Sequence, residues 1–415
     1  MSCFRLNTLK KFITLGLLTC FLTPVAYAQK FEFLHNRKKE ALPFKFVRNL
    51  IIIPVEINGK GPYNFVLDTG VGFCIITEPS LIDTLKPATL RKIKITGFGE
   101  GEDLTAHVIP SLQFKIGNTA GSRLPAAVLQ KDAFDLSAFA GMPVYGLIGY
   151  EFFNSFIVRI NYATSLITLY RQHSGFILRK GNRIPMSIED RKPYINSEIG
   201  IKPKNILAKL IIDTGSGHPL SLEMYEGVPF EVPKVHIAAN LGIGITGPIN
   251  GFLGRVDFVR LGKFEIKKVL TAFPDFKDAA SKTNTINRAG SIGNNILRRF
   301  DVVFDYSRSA MYLKSTASLK APFEHDMSGM ELFSSGEDYK RLFVLRVEAL
   351  SAAYEAGIQE DDEILAINLK PVSELSREEI DAIFKSQNNR SLIIDLVPKG
   401  AKRMERIILT LKRRI

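Results

Sequence analysis

The chain has 415 residues, 46% hydrophobic and 10% aromatic, with 55 Lys and Arg against 42 Asp and Glu for a formal net charge of +13. Hydrophobic content at this level excludes a disordered chain, and the length allows about three domains. The basic surplus is scattered, and its small clusters at Arg37-Lys38-Lys39 and Lys402-Arg403 lack the size and aromatic interleaving of a nucleic-acid surface, so no nucleic-acid partner is expected.

At the N-terminus, Arg5, Lys10 and Lys11 precede an apolar run from Phe12 to Val25, and Ala26-Tyr27-Ala28 is a small-x-small cleavage signal. Residues 1–28 are therefore expected to be an export signal. Their removal would take away three basic residues and leave a charge of +10. The run is short for a membrane span, so no stable insertion is expected after cleavage. Cys3 and Cys20 fall in this segment, which leaves Cys74 alone and excludes an internal disulfide. An exported fold without disulfides suits the bacterial periplasm or a secreted protein. Cys74, within Phe73-Cys74-Ile75-Ile76, suits a small buried apolar residue better than a nucleophile.

Residues 29–43 are polar and form a lead-in. A first unit follows over 44–172. Its run Leu50 to Ile57 predicts a strand, Asn58-Gly59-Lys60-Gly61 a tight turn, and Phe65-Val66-Leu67 a returning strand that ends on Asp68-Thr69-Gly70. A second unit, 182–314, repeats the pattern: Tyr194 to Ile199, then Leu207 to Ile212, then Asp213-Thr214-Gly215. One such triplet is weak evidence. The downstream sequence strengthens it. Leu147-Ile148-Gly149 lies 81 residues after Asp68 (68 to 149), and Ser291-Ile292-Gly293 lies 80 after Asp213 (213 to 293). Each is followed by a predicted strand pair, Phe156–Tyr162 with Leu166–Tyr170 and Phe300–Tyr306 with Met311–Leu313. A register held to within one residue marks a duplication. The third unit, 325–415, alternates short apolar strands with a helical stretch at Arg377–Lys385.

Two carboxylates, one from each half of a duplicated fold, are what an acid–base dyad about a two-fold axis requires. Other chemistries lack support. Gly215-Ser216-Gly217-His218 is not a Gly-x-Ser-x-Gly elbow, the six His residues show no metal spacing, and no phosphate loop occurs. No metal and no cofactor are expected.

The paired triplets and apolar-Gly pairs resemble the pepsin/retropepsin clan of aspartic peptidases, and are most similar to bacterial retropepsin-like proteins with a C-terminal PDZ domain. The third unit resembles a PDZ domain through Ala356-Gly357-Ile358, Asp361-Asp362-Glu363-Ile364 and Ile367-Asn368, although the family usually has Gly at the position of Asp361. The resemblance implies a mainly β, bilobal double barrel followed by a PDZ domain, with Asp68 and Asp213 catalytic. It implies that Thr69, Gly70, Thr214, Gly215 and Ser216 support the dyad. Val71 stands where the family usually has Ser, Thr or Ala, which removes one hydrogen bond from Asp68. Gly97, Phe98 and Gly99, in a glycine-rich loop, are the expected flap, with Gly242–Gly247 as a second candidate. Ser328, Gly329, Met330, Glu331 and Leu332 match a loop that captures a peptide C-terminal carboxylate. The expected activity is endopeptidase cleavage of polypeptide substrates whose C-termini dock on the PDZ unit, and one chain suffices for the active site. The competing expectation is a non-catalytic envelope scaffold that binds peptides. In a third, the PDZ unit occludes the cleft and regulates it.

Overall fold

The structure is a computed structural model that describes residues 30–87, 89–95, 104–175, 178, 180–244, 247–275 and 288–415. Its first half forms a nine-stranded sheet and its second half an eight-stranded sheet. Near-continuous apolar runs build both. The strand Leu50–Ile57 is buried along almost its whole length, as expected for a strand covered on both faces. It turns back at Asn58 (φ 50°) and Gly59 (φ 73°), both left-handed, the geometry of a two-residue hairpin turn.

The duplication is visible in strand register. In the first half Gly146–Ile148 lies parallel to Lys60–Leu67, with Ile148 opposite Leu67. In the second, Gly290–Gly293 lies parallel to Ile206–Asp213, with Ile292 opposite Ile212. Each aspartate therefore emerges from the same pairing.

A six-stranded sheet joins the halves. The two repeated hairpins meet in it, Phe156–Asn161 running antiparallel to Phe300–Asp305 with Val158 opposite Phe304. Arg159 reaches across to Asp301 with Nε–Oδ1 2.9 Å and Nη2–Oδ2 2.6 Å. One apolar cluster runs through both halves, from Phe31 to Phe323, so they fold around a common core.

The expected lead-in is more than a connector. Phe31–Phe33 pairs with Thr119–Leu129, and Lys39–Pro43 adds an edge to the joining sheet through Leu166–Arg171. Its polar residues alternate with buried ones, Glu40 and Leu42 pointing inward. That period of two is what an edge strand needs.

After Phe323 the chain builds a separate core from Met327 to Leu411, beneath a six-stranded sheet. The strand Met330–Ser335 ends the sheet, pairs among the described residues only with Arg341–Val347, and is packed by the helix Leu136–Ala140. The helix Arg377–Phe384 starts from Ser376 with a capping box to Glu379.

Candidate active site

Each triplet folds back on its own aspartate. Gly70 N–H donates to Asp68 Oδ1 at 2.6 Å, and Gly215 N–H donates to Asp213 Oδ1 at 2.9 Å. The two triplets are then tied to each other. Thr69 N–H donates to Thr214 Oγ1 (2.9 Å) and Thr214 N–H to Thr69 Oγ1 (3.0 Å). Each hydroxyl donates a hydrogen bond to the opposite strand, Thr69 Oγ1 to Ile212 O (2.6 Å) and Thr214 Oγ1 to Leu67 O (2.8 Å). Both threonines are fully buried. Four reciprocal direct bonds fix the relative position of the two loops.

The aspartates face each other across this tie. A Cβ built on Gly70 would lie 3.0 Å from Asp68 Oδ1 and 3.0 Å from Asp213 Oδ1, and one on Gly215 would lie 2.3 Å from Asp68 Oδ2. A side chain at either position would collide with the carboxylates. Burial, followed by the charge of Asp213, pushes the Asp68 carboxyl well above its ordinary range, and a hydrogen bond between the two carboxyls acts in the same direction. The Gly70 N–H opposes this in part. Asp68 is 6% exposed, so only its outer edge meets solvent.

The crossing strands require glycine for a specific reason. A Cβ on Gly149 would lie 2.0 Å from Asp68 O, and one on Gly293 would lie 2.1 Å from His218 O and 2.5 Å from Ser216 O. Close passage beneath each triplet lets Asp68 N–H donate to Ile148 O at 2.8 Å and Gly293 N–H to Pro219 O at 3.1 Å.

Ser216 has a different role from the one expected. Among the described residues its hydroxyl makes no hydrogen bond to Asp213; instead its backbone O accepts from Asn294 N–H at 2.9 Å. His218 is half-buried with Nε2 2.7 Å from Leu241 O, and desolvation holds its pKa below the usual value. It is not a base for Ser216. Cys74 is buried, and burial followed by the charge of Glu151 pushes its thiol up, which fits packing. Gly97, Phe98 and Gly99 lie outside the described residues, as do 245–246 of the second candidate flap.

Sequence reasoning missed Asn294. It is fully buried, and its Nδ2 donates to Thr214 O (2.6 Å) and Asn49 O (2.8 Å) while its Oδ1 accepts from Tyr162 OH (2.7 Å). One amide thereby ties the second triplet to two segments of the first half. Its place directly after Ile292-Gly293 was the available signal.

The expected carboxylate loop is already engaged. Ser328 N–H (2.8 Å) and Gly329 N–H (3.2 Å) donate to Asp326 Oδ1, and Met330 N–H donates to Ser328 Oγ (3.1 Å). In this structure these N–H groups bond the chain's own acid and hydroxyl. Glu331 accepts from Asn240 Nδ2 at 2.8 Å, and Leu332 O accepts from Arg377 Nη2 at 3.2 Å.

Comparison with known proteins agrees with this architecture. Residues 53–152 match the family model for aspartyl proteases, and residues 317–397 match that for PDZ domains. No curated protein matches the chain. Among solved structures, the chain is similar to an aspartic proteinase from Irpex lacteus, at 13% identity over 68% of this chain and 99% of that one, with a TM-score of 0.43. It is also similar to a photosystem II D1 C-terminal processing protease, at 21% identity over 21% of this chain and 23% of that one, with a TM-score of 0.20. It thus spans about a quarter of that second protein's length. The two matched segments show an aspartyl protease unit over residues 53–152 and a PDZ domain over residues 317–397 of this chain.

Proposed function

We propose that this protease is an exported aspartic endopeptidase in which Asp68 and Asp213 activate a water molecule. The reading rests above all on the reciprocal threonine tie and on the hydrogen bond between the two carboxyls, which together support a shared proton. The ionised member of the pair takes a proton from water as the water oxygen attacks the scissile carbonyl carbon. The protonated member donates to the carbonyl oxygen. On collapse the C–N bond breaks, the leaving nitrogen takes the proton gained from water, and the new hydroxyl returns its proton to the other carboxylate. No covalent intermediate forms and the dyad ends as it began. The pair titrates as a unit, so neither aspartate owns one role throughout.

Export is proposed from the N-terminal signal pattern. Among the described residues no helix is long and apolar enough to cross a membrane. The PDZ domain is proposed to dock substrate polypeptide and raise its concentration at the dyad. Capture of a substrate C-terminus by residues 328–332 would require Asp326 to release the N–H groups of Ser328 and Gly329.

The deciding experiment is cleavage of a diverse peptide mixture across acid to neutral pH by the chain and by its Asp68→Asn and Asp213→Asn variants. Cleavage by the parent alone supports the endopeptidase. An inert parent with intact folding would overturn it in favour of a binding scaffold.

A further inference from the structure

The PDZ domain grips a turn that braces the second triplet. The strands Lys45–Val47 and Leu50–Ile57 are joined by two residues, Arg48 (φ 47°) and Asn49 (φ 65°), both left-handed. Asparagine tolerates that conformation, whereas arginine adopts it at a cost that its surroundings must offset. Here the surroundings belong to the PDZ helix Arg377–Phe384. Glu378 Oε1 accepts the Arg48 main-chain N–H at 3.0 Å, and Asp381 Oδ2 lies 3.4 Å from Arg48 Nε. The Arg48 guanidinium also stacks 4.0 Å above the Phe139 ring, on the helix that packs against Met330–Ser335. Arg48 and Asp381 are 20% and 21% exposed, so the pair is largely shielded from salt.

Asn49 carries this grip toward the dyad. Its Nδ2 donates to Gly217 O (3.2 Å), its Oδ1 accepts from Arg298 Nη1 (3.1 Å), and its main-chain O accepts from Asn294 Nδ2 (2.8 Å). The same Asn294 amide holds Thr214 O at 2.6 Å. Direct contacts thus lead from Asp381 through Arg48, Asn49 and Asn294 to the peptide that follows Asp213. The duplicated turn of the second half braces the first triplet in the same way. Asp190 (φ 45°) and Arg191 (φ 61°) are left-handed, and Arg191 Nη1 donates to Gly72 O at 3.2 Å. Gly72 and Gly217 each stand two residues past the glycine of their triplet. The PDZ domain reaches the second half as well, where Glu331 Oε1 accepts from Asn240 Nδ2 at 2.8 Å and Asn240 Oδ1 accepts from Gly242 N–H at 2.9 Å.

We propose that Arg48 and Asn49 are positioning residues for Asp213, and that the PDZ domain completes the catalytic unit by holding them. The inference rests on the dyad reading and gives the PDZ domain a second task there, independent of any peptide it docks. Loss of the grip lets the turn relax and loosens the second triplet, which lowers turnover more than substrate binding. A PDZ domain that only blocked the cleft would act with the opposite sign.

The test is a charge-exchange cycle in the full chain. It is read as kcat and KM on a peptide that the parent cleaves, and as deuterium exchange at the amides of Thr214 and Gly215. Arg48→Glu and Asp381→Arg are each expected to lower kcat about tenfold, with KM held within about twofold, and to speed that exchange. Combined, they should restore most of both. Asp381→Asn keeps the side chain's shape and should lower kcat about threefold, which decides the question if Arg48→Glu does not fold. An unchanged or higher kcat in the single variants overturns the proposal. So does a double variant no better than the single ones, or a lower kcat with exchange at Thr214 unmoved. If the parent cleaves nothing, exchange decides alone. Faster exchange that the double variant reverses upholds the positioning role while the endopeptidase reading falls, and unmoved exchange sinks both.

Discussion

The two halves of the protease hold their aspartates with the same main-chain bonds and with different side chains. In both, the glycine of the triplet bonds its own aspartate and the threonine bonds across. In both, the residue after the crossing glycine bonds back, Tyr150 N–H to Val71 O (3.2 Å) and Asn294 N–H to Ser216 O (2.9 Å). The side chains then diverge. Tyr150 turns its ring toward Tyr306, whereas Asn294 uses its amide to bind both halves together. The two-fold relation therefore resides in the backbone, where a common register preserves it. Side chains are free to make the surroundings of the two aspartates differ.

If the aspartates are equal partners, replacing either by Asn should lower hydrolysis by about a thousandfold or more. Initial rates, with circular dichroism as a check on folding, measure this; a variant with the parent's rate would break the pairing. The next largest effect concerns the crossing glycines. Gly149→Ala and Gly293→Ala place a methyl at 2.0 Å and 2.1 Å from backbone oxygens. Each should destabilise by about 3 kcal/mol in urea unfolding. Clearly unequal losses would mean that the backbone symmetry does not extend to strain.

Side-chain asymmetry makes a smaller and opposite test. Asn294→Ala strips partners from three buried or half-buried groups and should cost about 2–3 kcal/mol. Tyr150→Phe, at the matching place in the first half, should stay within about 0.5 kcal/mol. Similar values for the two would contradict the division between backbone and side chain.

The smallest effect is in pH dependence. A carboxyl whose folded pKa lies above its unfolded value weakens the fold as pH rises between the two, and has no effect below the lower one. Asp68→Asn should therefore melt higher than the parent at neutral pH, with the gap closing in acid below the ordinary carboxylate range. The parent's hydrolysis should fall as pH rises through the raised value. Parallel melting curves at every pH would mean that burial does not raise the Asp68 carboxyl.

Much of this arrangement was legible in the chain because it is written in fixed offsets. The triplets and the apolar-Gly pairs recur in the same order, and a parallel strand pairing follows from where they fall. The joining sheet was not legible, since the pairing of Phe156–Asn161 with Phe300–Asp305 links strands far apart in sequence and no local pattern encodes it. Asn294 was hidden for a related reason: its partners come from Asn49, Tyr162 and Thr214, and only the fold assembles them. The capping of Ser328 and Gly329 by Asp326 is local, but an aspartate two residues ahead of a turn looks like ordinary turn chemistry until its hydrogen bonds are seen.

The sheet that joins the halves has one last consequence. Because Phe156–Asn161 and Phe300–Asp305 are covalently part of one molecule, the two halves meet at an effective concentration that dilution does not alter. Rate per molecule should then stay flat from concentrated stock to nanomolar assay, with no lag for assembly.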